Sequence, residues 1–197
     1  MATASPRFIG RTDDGLRVSF EDFIAADFEE GGLYELARGV VVVTEVPNLT
    51  HGRIVERLSS LFVLYGTANP RRIEFRSNRA SCSVRLPRLQ SCRQPDQAIY
   101  LLPPPPGEHP WIRWTPQIVV EVLGPGSESR DLIEKRQDYL LVGATEYWIV
   151  DPDPRRMHAL RRAGDTWDEA IVPAHQVYRT HLLPGLDVRP ADLFADL

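Results

Sequence analysis

Lysine is almost missing from this 197-residue chain: of its 23 basic side chains 22 are arginine, and the single lysine is Lys135. Cysteine is scarce too. Cys82 and Cys92 show neither CxxC spacing nor the further partners that a disulfide framework needs, so both read as reduced structural thiols. No run reaches the roughly 18 consecutive apolar residues of a membrane span, and residues 1–11 lack the apolar core of a secretory signal. These absences point to the cytoplasm. An excess of positive charge is lacking as well: a net charge of -4 and a pI of about 5.7 argue against a protein that coats nucleic acid with its whole surface. There is no glycine-rich loop of the Walker type, and His109, His158, His175 and His181 do not fall at metal-ligand spacing.

What is present fits one α/β domain over residues 1–197, with 1–18 as a loose lead-in; an apolar share of 43% at this length is enough for one sizeable core. Ser19 before residues 20–26 predicts an N-capped first helix. Tyr34-Glu35-Leu36, a break at Arg38-Gly39 and the β-branched run 40–43 predict a hairpin, closed off by Pro47-Asn48. From Thr50 the residues Ile54, Val55, Leu58, Leu61, Phe62 and Tyr65 recur at helical spacing, with Gly66 as the expected stop. Strand-like stretches follow at 73–76, 83–86 and 98–101, then a proline-rich loop over 103–116. Residues 117–123 read as a central strand, 131–142 as a helix capped by Ser127 or Ser129, and 146–151 as a buried strand ended by Pro152. That order implies a crossover that makes the two strands parallel neighbours. Residues 155–188 read as short strands with turns at Gly164 and Gly185, and 191–194 as a closing helical turn.

The candidate chemistry starts at Glu121. Val119, Val120, Val122 and Leu123 around it predict burial, where an unpaired carboxylate costs several kcal/mol. It needs a cation, either an arginine or a metal ion. Pro95-Asp96 opens the preceding strand, so pairing of the two strands would set Asp96 beside Glu121 as a two-carboxylate site suited to a hard divalent ion; Asp after Pro is also an ordinary turn feature. In a chain so biased to arginine, the retained Lys135 marks a place where a compact ammonium serves and a planar guanidinium does not, although Asp131 and Lys135 also form an ordinary i,i+4 pair. The stretch from Arg71 to Arg93 carries seven arginines and only Glu74 against them. It permits a phosphate-facing surface, while solvated strand-edge arginines are the plainer explanation. Tyr139, Tyr147 and Trp148 read as packing residues.

Several of these pieces together resemble one family. Tyr34-Glu35-Leu36 with Gly39, His51 opening a helix, Pro95-Asp96, Val120-Glu121-Val122-Leu123 followed by Pro125, Asp131 with Lys135 and Tyr139, and Glu146-Tyr-Trp-Ile-Val-Asp-Pro152 are similar to the Uma-two family of nucleases, within the PD-(D/E)XK superfamily. The resemblance spans about residues 20–190. It implies a restriction-endonuclease-like α/β fold: a mixed β-sheet flanked by helices, with an N-terminal β-hairpin and a β-rich C-terminal segment. It implies a Mg²⁺- or Mn²⁺-dependent endonuclease acting on DNA, with Asp96, Glu121 and the carbonyl of Val122 on the metal and Lys135 as the catalytic lysine. Glu35 would be a supporting acid and His51 a phosphate or supporting contact; the charge of the basic stretch, rather than the resemblance, offers Arg72 and Arg76 as nucleic-acid contacts. The usual lysine position, two residues after the second acid, holds Leu123, and Val40 follows Gly39 where the family has an acid. A homodimer is implied, and the β-rich segment after Asp151 is a candidate for its interface. The alternatives are a nuclease fold kept as a non-catalytic binding or regulatory module, and an accessory nuclease whose substrate is RNA.

Overall fold

Residues 6–44, 48–78, 83–107, 110–124, 126–127 and 129–197 are described by the computed structural model, so Pro47, Arg79, Cys82, His109 and Pro125 lie outside the described residues. Two short strands, β1 (Phe8–Ile9) and β2 (Asp27–Phe28), pair in parallel around α1 (Phe20–Ile24). Ser19 caps that helix as expected, its hydroxyl accepting from the Asp22 amide. The predicted hairpin forms from β3 (Leu33–Ala37) and β4 (Val40–Thr44). Its two turn residues, Arg38 at φ 51° and Gly39 at φ 78°, are both left-handed, the conformation that matches a two-residue turn to the twist of its strands. Arg38 tolerates this because its amide donates to Ser91 Oγ and its guanidinium to Asp138.

Helix α2 (Leu49–Ala68) begins and ends differently from the sequence expectation. Asn48 is its N-cap, accepting from the His51 amide, and Gly66 lies inside the helix, where a side chain would have met only Ile73. Its apolar stripe of Ile54, Leu58 and Phe62 is fully buried.

The remaining strands are β5 (Phe75–Ser77), β6 (Val84–Leu86), β7 (Ser91–Arg93), β8 (Gln97–Tyr100), β9 (Ile118–Val122), β10 (Glu146–Asp151), β11 (Arg156–Ala163), β12 (Thr166–Pro173), β13 (Tyr178–Arg179) and β14 (Asp187–Val188). β5 and β8–β12 form a six-stranded sheet in the order β12-β11-β10-β9-β8-β5, β6 and β7 join the hairpin in a four-stranded sheet in the order β4-β3-β7-β6, and β13 and β14 pair with each other. β9 and β10 are parallel, as the strand-helix-strand order predicts, and the other pairs of the large sheet are antiparallel. Between them, one π-helical turn (Arg130–Glu134) leads into α3 (Lys135–Val142). β11 and β12 run eight residues each, longer than the short strands expected there, and α4 (Pro190–Leu193) closes the chain. The serines do not cap the α3 segment with their side chains: Ser127 Oγ accepts from the Gly124 amide, and Ser129 makes no capping bond. Among the described residues, no helix is long and apolar enough to cross a membrane.

Alternation along β9 splits the core. Ile118, Val120 and Val122 pack with α2 and the C-terminal segment, while Val119 faces Tyr139 and Tyr147 on the α3 side, where Glu121 also points. The Glu146-Tyr-Trp segment has a structural explanation. Glu146 is fully buried and accepts from Trp148 Nε1 (2.8 Å), Tyr178 OH (2.9 Å) and Thr180 Oγ1 (2.8 Å), which ties the C-terminal segment to β10. In the proline-rich loop, Trp111 and Trp114 pack with Phe75 and Tyr100, so an aromatic group anchors this long connection.

Candidate active site

The antiparallel register of β8 and β9 pairs Gln97 with Val120, and the next step along it places Asp96 beside Glu121. A hydrogen bond fixes that juxtaposition: Asp96 Oδ2 accepts from the Val122 amide at 2.7 Å. His51 Nε2 lies 3.1 Å from the same oxygen, so the first turn of α2 supports Asp96. Both acids are out of solvent, Asp96 at 1% exposure and Glu121 at 0%.

Lys135 meets Glu121 from the α3 side. Its Nζ is 3.0 Å from Glu121 Oε1, 3.0 Å from Asp131 Oδ1 and 3.3 Å from Glu35 Oε1, at 3% exposure. The choice of lysine follows from this geometry. A compact ammonium with three donors sits at the centre of three carboxylates, a space that a planar fork does not fill in the same way. The π-helical turn ends at Lys135, whose amide reaches back five residues to the Arg130 carbonyl. Such turns recur at functional sites because they re-aim a side chain inside an otherwise regular helix.

Glu35 comes from β3 in the small sheet, and buried charges hold it there. Its Oε1 accepts from the Gln94 amide (2.8 Å), and Arg93 bridges its Oε2 (3.4 Å) to Asp138 on α3 (2.8 Å). Arg93 is fully buried. This corrects its placement among exposed or phosphate-facing arginines: it ties the small sheet to α3. The rest of the basic stretch divides. Arg76 donates to the carbonyl and hydroxyl of Ser59 on α2, and Arg72 is exposed; among the described residues, neither contacts the acids.

Tyr139 and Asp131 are the site residues that sequence reasoning undervalued. Tyr139 is not merely packing: its hydroxyl donates to Glu121 Oε1 at 2.7 Å. Both lie four positions from Lys135, on either side, so helical spacing alone puts all three on one face. Tyr147 supports the turn by donating to the Asp131 carbonyl at 3.0 Å.

The charges in the pocket act on one another. Burial raises the Glu121 pKa, Lys135 opposes that shift, and Asp131, Asp96 and Glu35 add to it. For Lys135, burial works against the charge, but Glu121, Glu35 and Asp131 outweigh it and hold the ammonium above the ordinary lysine range. Burial, then Glu121 and Glu35, push the Tyr139 phenol well up, so it stays a donor.

Among the described residues, no three His, Cys, Asp or Glu side chains form a ready-made metal cage, because the acids converge on Lys135. The site still suits a hard cation. Among the described residues, Glu121 Oε2 is buried and has no hydrogen-bond partner, an orphan of the kind that calls for an ion or water. Mg²⁺ commonly takes only one or two carboxylates and completes its shell with water and phosphate.

Comparison with known proteins follows the same lines. A family model described as "Putative restriction endonuclease", Uma2, matches residues 20–191. The chain belongs to the Uma2 family. The match takes in Glu35, Asp96, Glu121, Asp131 and Lys135. The chain is also similar to a solved protein described as "a putative nuclease belonging to DUF820 from Anabaena variabilis ATCC 29413", with a TM-score of 0.72 and 17% identity over 90% of this chain and 97% of that one. At that identity the likeness shows the shared fold. No curated protein matches the chain.

Proposed function

We infer that this Uma2 protein is a divalent-metal-dependent endonuclease that hydrolyses phosphodiester bonds in DNA. The observation that carries the reading is the Asp96–Val122 hydrogen bond beside Glu121, with Lys135 against the same carboxylate. Asp96, Glu121 and the Val122 carbonyl would hold Mg²⁺ or Mn²⁺. Such an ion supplies Lewis acidity, polarising a phosphoryl oxygen and acidifying water. Lys135, once a cation satisfies the acids, offers its ammonium to a phosphate oxygen or to the attacking water. Glu35 and Asp131 keep that ammonium charged and in place, and His51 steadies Asp96. The exposed Arg72 offers a backbone phosphate contact.

One observation favours a second reading, a nuclease fold that binds without turnover: Asp96, Glu121 and Lys135 are all nearly sealed from solvent. Incubation of plasmid and linear DNA with Mn²⁺ separates the two. Cleavage that stops on chelation and falls by at least about 100-fold in Asp96→Asn is expected, since loss of mere outer partners already costs 10–100-fold. DNA retained without cleavage, by the wild type and by Asp96→Asn alike, would support the binding module instead.

A further inference from the structure

Glu121 uses its two oxygens unequally. Lys135 Nζ (3.0 Å) and Tyr139 OH (2.7 Å) both donate to Oε1, while Oε2 is buried with no hydrogen-bond partner among the described residues. A carboxylate held by one flexible ammonium could rotate and exchange its oxygens. Tyr139 removes that freedom: its ring is fully buried and packed edge-on against Tyr147 at 5.0 Å, so the hydroxyl has one place to point. We propose that Tyr139 is a positioning residue that pins Oε1 of Glu121 to the protein and thereby presents Oε2 to the divalent ion. The inference rests on the reading of this pocket as a metal centre.

The tyrosine acts through Glu121 and does not touch the ion. It also leaves Oε1 satisfied when Lys135 turns toward substrate, so Glu121 keeps its orientation while the lysine works. An ordinary core tyrosine would do neither. Tyr147 provides the comparison, since its equally buried hydroxyl goes to a backbone carbonyl.

The test uses the full chain, with calorimetric titration of Mn²⁺ and the visible spectrum of bound Co²⁺. Tyr139→Phe, which keeps every ring atom, should bind Mn²⁺ about tenfold more weakly, within the range for removing a partner of a metal ligand. Its Co²⁺ spectrum should change, and Tyr147→Phe should leave both close to wild type. Wild-type affinity and spectrum in Tyr139→Phe would overturn the proposal, as would equal effects of the two variants. If the wild type binds neither ion, the metal-centre reading fails and the role of Tyr139 with it; if it binds both and Tyr139→Phe matches it, only the role of Tyr139 fails. A measurement without the deletion covers a variant that does not fold. With 3-fluorotyrosine at position 139 the fluorine resonance should move on addition of Mg²⁺, and an unmoved resonance in protein that binds Mg²⁺ contradicts the proposal.

Discussion

Replacing Lys135 by methionine is expected to destabilise the metal-free protein by about 3–5 kcal/mol, the usual cost of breaking a buried ion pair from one side. For a chain of this size that is a fall in Tm of roughly 6–20 °C. The reason is the company Lys135 keeps: Glu121, Asp131 and Glu35 all lie within 3.3 Å of its ammonium. Methionine fills similar volume and leaves three buried acids facing one another. The ammonium pKa is raised in the fold, so its stabilisation is present below the ordinary lysine value and is lost only as pH rises through the raised one. The deficit of the variant should therefore hold across the neutral range. Mn²⁺ should return part of it, because the ion would answer Glu121, the carboxylate that Lys135 and the proposed metal site share. Thermal denaturation with and without Mn²⁺ measures both. A loss under about 1 kcal/mol, the size of an exposed i,i+4 pair, would mean that Lys135 does not hold the acids together.

Glu121→Gln should have the opposite effect on stability while removing function. Glutamine keeps an oxygen for Lys135 and Tyr139 and removes a charge that the pocket resists. Burial is the main cause of the raised Glu121 pKa, so the protonated acid stabilises the fold below the ordinary carboxylate range, and that contribution is lost as pH rises through the raised value. The neutral variant should thus match wild type in acid and equal or exceed it near neutral pH. Its Mn²⁺ affinity should fall by at least about 100-fold, more than for a lost outer partner. Such a trade of stability for function is common where a site gathers like charges. Denaturation across pH, paired with Mn²⁺ titration, checks it; a variant that is less stable at neutral pH and still binds the ion would refute both halves.

Much of this site was legible because its geometry is local to a few regular elements. The strand-helix-strand order predicted the parallel β9 and β10, and burial around Glu121 predicted a carboxylate in need of a cation. Pairing of the strands then brought Asp96 to it, and the lone lysine stood where the acids converge. Arg93 was not legible. Its partners Asp138 and Glu35 are 45 and 58 residues away, and β7 is three residues long, too short for any periodicity to mark it as buried. Gly66 misled for a related reason: glycine weakens a helix by only about 1 kcal/mol, and the burial of the stripe through Tyr65 outweighs that. Tyr139 sat in plain view at helical spacing from Lys135, but a tyrosine ahead of Leu140 and Leu141 gives no sign of where its hydroxyl ends.

As proposed, Asp96 and Glu121 would hold a divalent ion. Calorimetric titration of Mn²⁺ into the wild type and into Asp96→Asn tests it most directly, because it needs no knowledge of the substrate. Saturable binding by the wild type that is lost in Asp96→Asn is the predicted result. The same binding in both proteins, or none in the wild type, would contradict it.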